Sequence, residues 1–211
     1  FEVDRIRDGK SFTTRRVNAI QNGEAIFSCS ISFQKREKGL THQIKMPKIQ
    51  GPEKLKSDLE LRKDLKSKIP KDYLPMWLRE REIETRQVEP VDLLKAEKLP
   101  PYRSTWMKPT GKLPADERIH QALLLYVSDM GLLGAAVNPH EVNFMSKKFQ
   151  SASLDHVMWF HGKVNFNNWI LHHMHSPISQ NARGFSRGSI YTKSGKLVAS
   201  TAQEGLMRIW D

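Results

Sequence analysis

The chain has 211 residues, 38% hydrophobic and 27% charged, with 34 Lys and Arg against 23 Asp and Glu and a net charge of +11. That composition fits a soluble globular protein of one large or two small domains. The longest uninterrupted apolar run, Ala122 to Val127, is far short of the ~18 residues that span a bilayer, and a single cysteine, Cys29, excludes an internal disulfide and points to a reducing compartment.

Residues 1–34 read as strands. FEVDRIRDG alternates and turns at Asp8-Gly9, SFTTRRVNAIQ follows, and Asn22-Gly23 separates it from EAIFSCSISFQ. An Asn-Gly pair between two alternating runs is a strong hairpin signal. Cys29 lies inside that alternation, which reads as a buried, inert thiol. The first residue is Phe rather than Met and already sits in a strand pattern, so the chain is expected to begin inside a longer protein.

Residues 35–100 change character. They are rich in charge and are punctuated by Pro47, Pro52, Pro70, Pro75, Pro90, Pro100 and Pro101. Leu55, Leu59 and Leu65 mark a short helix within what reads as a linker. Much of the positive charge is here, in KREKG, KMPK and RKDLKSK. Such charge attracts polyanions in general. No aromatic side chains interleave with it to stack on bases, so a solvated face is expected and nucleic acid is not the expected partner.

Residues 101–211 form a second structured region. YRSTWMKPTG reads as a strand, and Asp116 as the N-cap of a helix over ERIHQALLLYVSDMGLL. Ile119, Leu123, Tyr126, Val127, Met130 and Leu133 recur at helical spacing and mark the expected buried stripe. Strand-like runs follow in SASLDHVMWFH, NWILHHMHSP and ARGFSRGSIYTKSGKLVASTAQEGLMRIW, the last folding back at Ser194-Gly195. Shifting the first hairpin so that Asn22-Gly23 falls on Ser194-Gly195 also places Arg15 on Arg187, Ser28 on Ser200 and Ile26 on Val198. Two copies of one α+β unit are therefore expected. Each would be an antiparallel sheet wrapped around a central helix, the hotdog arrangement, with the first copy incomplete. The expected divisions are 1–48, the hairpin of the first copy; 49–100, the linker; and 101–211, the second copy.

Three polar residues stand out from their patterns. Asp129 lies about 80° round the helix from Ile119, at the border of the stripe. A border carboxylate is either simply solvated or held there for a purpose. In LVASTAQEG, Leu197, Ala199, Thr201, Gln203 and Met207 share one strand face, and both faces are mostly apolar or small. Gln203 then needs partners for its amide, either neighbouring backbone or something in a cleft. Ser153 opens SLDHVMWFH, where a hydroxyl is ordinary. Asp155 and His156 are adjacent, so in a strand they point to opposite faces and form no simple acid-base pair.

The histidines His156, His161, His172, His173 and His175 invite a metal reading, and His173 and His175 share a strand face. There is no HExxH pattern, no second cysteine and no neighbouring carboxylate to complete a set, so no metal site is expected. The GxSxG elbow, the P-loop and GxGxxG are absent, and Ser186 in ARGFSRG lacks the elbow context, which disfavours covalent Ser-His-Asp chemistry. A carboxylate, a hydroxyl and an amide remain, a set that can position and deprotonate a water.

RDGKSFTTRRVNAIQNGEAIFSCSISFQ, HQIKMP, ERIHQALLLYVSDMGLLGAAVNPH, SLDHVMWFH and ARGFSRGSIYTKSGKLVASTAQEGLMR together resemble the acyl-CoA thioesterase II family of double-hotdog enzymes, in family order and over nearly the whole chain outside 50–100. The resemblance implies hydrolysis of fatty acyl-CoA to free acid and coenzyme A with no cofactor. It implies Asp129 in YVSDMGLL, Ser153 two residues before the Asp of LDH, and Gln203 in ASTAQEG as the catalytic set. Ser153 departs from bacterial members, which carry Thr. The lost methyl removes a restraint on the hydroxyl rotamer. The resemblance further implies an intracellular enzyme, peroxisomal in some relatives, with cytosolic and mitochondrial settings and a homo-oligomer as open alternatives. Trp210-Asp211 departs from the Ser-Lys-Leu peroxisomal address. A non-catalytic hotdog binding acyl-CoA or a partner protein is the alternative expectation.

Overall fold

The computed structural model describes residues 1–92, 94–142 and 144–210. Two compact units divide the chain, Phe1–His42 and Gln43–Asp211. In the first, β1 (Glu2–Asp8), β2 (Phe12–Gln21) and β3 (Glu24–Gln34) form an antiparallel meander in that order. Asn22 and Gly23 both take positive φ, 52° and 83°, the turn that the Asn-Gly pair predicts.

The second unit holds β4 (Ile83–Gln87), β5 (Tyr102–Pro109), β6 (Phe149–Ser153), β7 (Val157–Phe160), β8 (Ile170–Gln180), β9 (Arg183–Thr192) and β10 (Leu197–Ile209). They make a seven-stranded sheet in the order β4-β5-β8-β9-β10-β6, with β7 also pairing β10. Every pairing is antiparallel. Among the described residues, the α-helices of the unit are α1 (Asp58–Asp64), α2 (Leu74–Trp77), α3 (Glu117–Ser128) and α4 (Leu132–Val137). The sheet curls around α3 and α4, giving the α+β hotdog fold.

Asp116 caps α3 as its sequence predicts, its side chain accepting from the Arg118 N–H at 3.0 Å. Leu124 and Val127 then pack into a core with Ile83, Met107, Phe166, Ile170, Ile190 and Ala199. Each of the larger of these side chains contributes ~1.5–3 kcal/mol on burial. The buried face of α3 overlaps the expected stripe only at Val127, with Leu123 partly buried against the core. His120, Leu124, Val127 and Ser128 are buried, whereas Ile119, Tyr126 and Met130 are exposed. The difference is roughly a third of a turn at 100° per residue. Leu123, Leu124 and Leu125 make the helix apolar nearly all round, so periodicity alone cannot choose its face. The stretch Glu117–Val137 is long and apolar enough to cross a membrane, but it breaks at Gly131, and its buried residues pack on the sheet.

The stretch expected as a linker, 49–100, contains α1, α2 and the edge strand β4, and much of it is stitched to the sheet. Ile49, Leu55 and Val88, together with Met46 just before the stretch, pack on Trp106, Leu171 and Tyr191. The Trp106 indole donates to the Gln50 carbonyl at 2.9 Å, and Arg86 to the Pro52 carbonyl at 2.8 Å. Ser57 caps α1 through a capping box with Glu60. Buried Arg62 is held by Asp58 at 2.9 Å and by the carbonyls of Trp77 and Arg79.

Candidate functional site

β10 changes neighbours halfway along. Ala199 to Ala202 pair with β7, and Gly205 to Ile209 pair with β6, so Gln203 and Glu204 face the gap between the two. The chain between β6 and β7 is tied across that gap. The Leu154 N–H donates to the Glu204 carbonyl at 3.0 Å, and the Glu204 N–H to the Asp155 carboxylate at 2.8 Å. SASLDHVMWFH is thus two short strands with a corner at Leu154–His156, not one run.

Ser153, the last residue of β6, lies at this corner. Asp129 is the C-cap residue of α3. A carboxylate is unfavourable at that end of a helix dipole, so helix stability does not account for it. Gln203 brings the two together. Its Nε2 donates to Asp129 Oδ1 and, at 3.2 Å, to Ser153 Oγ. The Ser153 hydroxyl lies 3.4 Å from the same carboxylate oxygen. Asp129 and Ser153 are exposed, whereas Gln203 is only 2% exposed. All three expected residues therefore meet around one carboxylate oxygen, from segments 24 and 50 residues apart.

His156 also reaches the cluster. Its Nε2 lies 2.8 Å from Ser128 Oγ, and its Nδ1 lies 3.4 Å from Gln203 Nε2. Burial lowers the His156 pKa from its ordinary 6.5, against the pull of Asp129 and Asp155. Strand alternation separated Asp155 from His156 in the sequence. At a corner that alternation does not apply, and no residue pattern announces the corner. Ser128 was missed for a related reason, since the expected stripe put it off the buried face.

The remaining histidines scatter. His172 is buried on the inner face, 3.3 Å from Thr201 Oγ1, and burial first, then His156 and His173, push its pKa from 6.5 to about 3. His173 meets Ser104 at 3.0 Å, and His161 meets Ser200 at 2.8 Å. Among the described residues no group of three or more His, Cys, Asp and Glu is placed to hold a metal ion. Chemically, the site offers a solvent-open carboxylate beside a hydroxyl, with a buried amide fixing their spacing.

The profile of a family described as Acyl-CoA thioesterase matches residues 77–206. Acyl-CoA thioesterase 2 of Haemophilus influenzae is 34% identical over 208 residues, covering 99% of this chain and 73% of that protein. Acyl-coenzyme A thioesterase 8 of Mus musculus is 36% identical, with 99% and 67% covered. The Peroxisomal acyl-coenzyme A thioester hydrolase 1 of Saccharomyces cerevisiae is 26% identical, with 97% and 73% covered. Among solved structures, the acyl-CoA thioesterase II TesB2 of Mycobacterium marinum superposes with a TM-score of 0.76 at 34% identity, covering 99% of this chain and 73% of that one. A hot dog fold protein of Alicyclobacillus acidocaldarius superposes at 0.72 with 16% identity, covering 100% and 72%, and shares the fold alone.

Proposed function

The chain belongs to the acyl-CoA thioesterase family, which hydrolyses acyl-CoA to free acid and coenzyme A, and we propose that its Asp129, Ser153 and Gln203 hold and activate the attacking water. The observation that carries this reading is the convergence of the three side chains on Asp129 Oδ1. A water at the exposed side of that oxygen gives it a proton while its own oxygen attacks the thioester carbonyl carbon. The Ser153 hydroxyl fixes the direction of the lone pair that attacks. Gln203, immobile in the core, holds the carboxylate against rotation, which lowers the entropic cost of attack. The tetrahedral intermediate then expels the coenzyme A thiolate, which recovers the proton from Asp129. No cofactor enters the sequence.

In the same proposal the substrate is a fatty acyl-CoA and the enzyme acts inside the cell. A peroxisomal setting rests on the likeness to the yeast protein. Self-association, expected from the resemblance, is read by sedimentation. The test of the site is Asp129→Asn. The asparagine keeps the shape and cannot take the proton, so kcat for palmitoyl-CoA falls by about 10²–10⁴-fold. Undiminished coenzyme A release by this variant eliminates the assignment.

A further inference from the structure

We propose that His156 is a positioning residue that fixes the orientation of the Gln203 amide, an inference that rests on the reading of Asp129, Ser153 and Gln203 as the water-holding set. The Ser128 hydroxyl has one proton, and it goes to the Leu125 carbonyl at 2.7 Å. Its oxygen therefore accepts from His156, whose Nε2 is 2.8 Å away. That assigns the proton of the neutral imidazole to Nε2 and leaves Nδ1 as an acceptor. Nδ1 faces Gln203 Nε2 at 3.4 Å.

The Gln203 NH₂ group thus sits among three acceptors, Asp129 Oδ1, Ser153 Oγ and His156 Nδ1. Turning the amide over would set Oε1 against the Asp129 carboxylate and the Nδ1 lone pair. The observed orientation leaves Gln203 Oε1 buried with no hydrogen-bond partner. The amide has no acceptor-side reason to face this way. The donors' side, read by Asp129 and His156 together, decides it.

The charged and titratable groups around His156 are Asp129 at the end of α3, Asp155 on its own corner and His172 on β8. Burial outweighs the two carboxylates and keeps the imidazole neutral at pH 7. Protonation at lower pH places an N–H against the amide N–H and releases the Gln203 orientation. An acid-side loss of kcat below pH 6.5 follows.

The test measures palmitoyl-CoA hydrolysis across pH for the whole chain and for His156→Ala, His156→Asn and Asp129→Asn, with imidazole ¹⁵N spectra of the unaltered protein. His156→Ala is expected to lower kcat about 10–100-fold with KM changed by less than about twofold, and to make the acid-side fall of kcat shallower than in the unaltered protein. In His156→Asn, Oδ1 takes the place of Nδ1 and restores roughly tenfold of the lost kcat. The ¹⁵N spectrum is expected to show a protonated Nε2 and a bare Nδ1 at neutral pH. A folded His156→Ala with full kcat, a His156→Asn no better than His156→Ala, or a protonated Nδ1 overturns the inference. Should His156→Ala not fold, His156→Asn and the spectrum decide. Full activity in His156→Ala beside a dead Asp129→Asn removes only the role of His156. An active Asp129→Asn removes the water-holding reading, and the inference with it.

Discussion

Shifted by 172 residues, the Asn22-Gly23 turn of the β2–β3 hairpin falls on the Ser194-Gly195 turn of β9–β10, and Gly23 and Gly195 take nearly the same φ, 83° and 88°. The ladders behind the turns do not coincide. Arg15 stands opposite Ile31, but its counterpart Arg187 stands opposite Ala202, one residue out of step. By the same offset, Phe12, Arg16 and Phe33 correspond to Gly184, Gly188 and Gly205, and Ile31 to Gln203. Phe12, Ile31 and Phe33 are 53%, 39% and 53% exposed, whereas β9–β10 is closed over by helices and neighbouring side chains. A Cβ on Gly188 would lie 2.2 Å from the His172 imidazole and 2.4 Å from Thr201 Oγ1. On β9–β10, Gly184, Gly188 and Gly205 share one face with Gln203 and leave room there for Leu133, His172 and Thr201, whereas on β2–β3 the slipped register puts Phe12 and Arg16 on the opposite face from Ile31 and Phe33.

Gln203→Ile imports the residue of the other hairpin and sharpens that comparison most. It removes the donor that spaces Asp129 and Ser153, and kcat is expected to fall about 10²–10³-fold. Ile31→Gln, measured alongside, leaves kcat unchanged. Equal activity of Gln203→Ile and the unaltered protein would mean that the amide does nothing the aliphatic cannot.

Acid tests the covered hairpin next. The folded protein refuses a proton at His172 until about pH 3, whereas the unfolded chain accepts one at about 6.5. The stabilisation is therefore complete above pH 6.5 and is lost as pH falls toward 3. Urea unfolding followed from pH 7 to pH 4 is expected to show this decline, and His172→Leu should flatten it. A decline of the same size in both proteins would move its origin elsewhere.

Gly188→Ala is expected to lose about 1–3 kcal/mol in urea, the usual penalty for overpacking. Arg16→Ala at the corresponding exposed position should stay within about 0.5 kcal/mol. Similar losses at both positions would contradict the account of why glycine stands at 188. The turns should differ least: Gly23→Ala and Gly195→Ala each force a left-handed residue, at about 1–2 kcal/mol.

The fold was largely legible because its signals are local. Alternation marks β1–β3 and β8–β10, Asp116 announces α3, and Asn22-Gly23 sets its own turn. β4 was not, since IETRQ is a five-residue edge strand in a charged stretch and owes its pairing to β5. The buried side of α3 was not either, because three consecutive leucines give every side an apolar claim. Asp129 at the border of the stripe and Gln203 on an apolar strand were polar residues at odds with their patterns, whereas Ser153 at a strand start was ordinary, and the family resemblance named all three. His156 carries no such mark. Its place depends on a strand ending at Ser153, which the long-range pairing with β10 determines.

Direct attack by water can be watched in one turnover. With enzyme in excess over palmitoyl-CoA in ¹⁸O-water, the account predicts one ¹⁸O in the released acid and none in the peptide carrying Asp129. Unlabelled acid with ¹⁸O in the Asp129 carboxylate would show that this oxygen attacks the thioester itself, and the water-holding account would be contradicted.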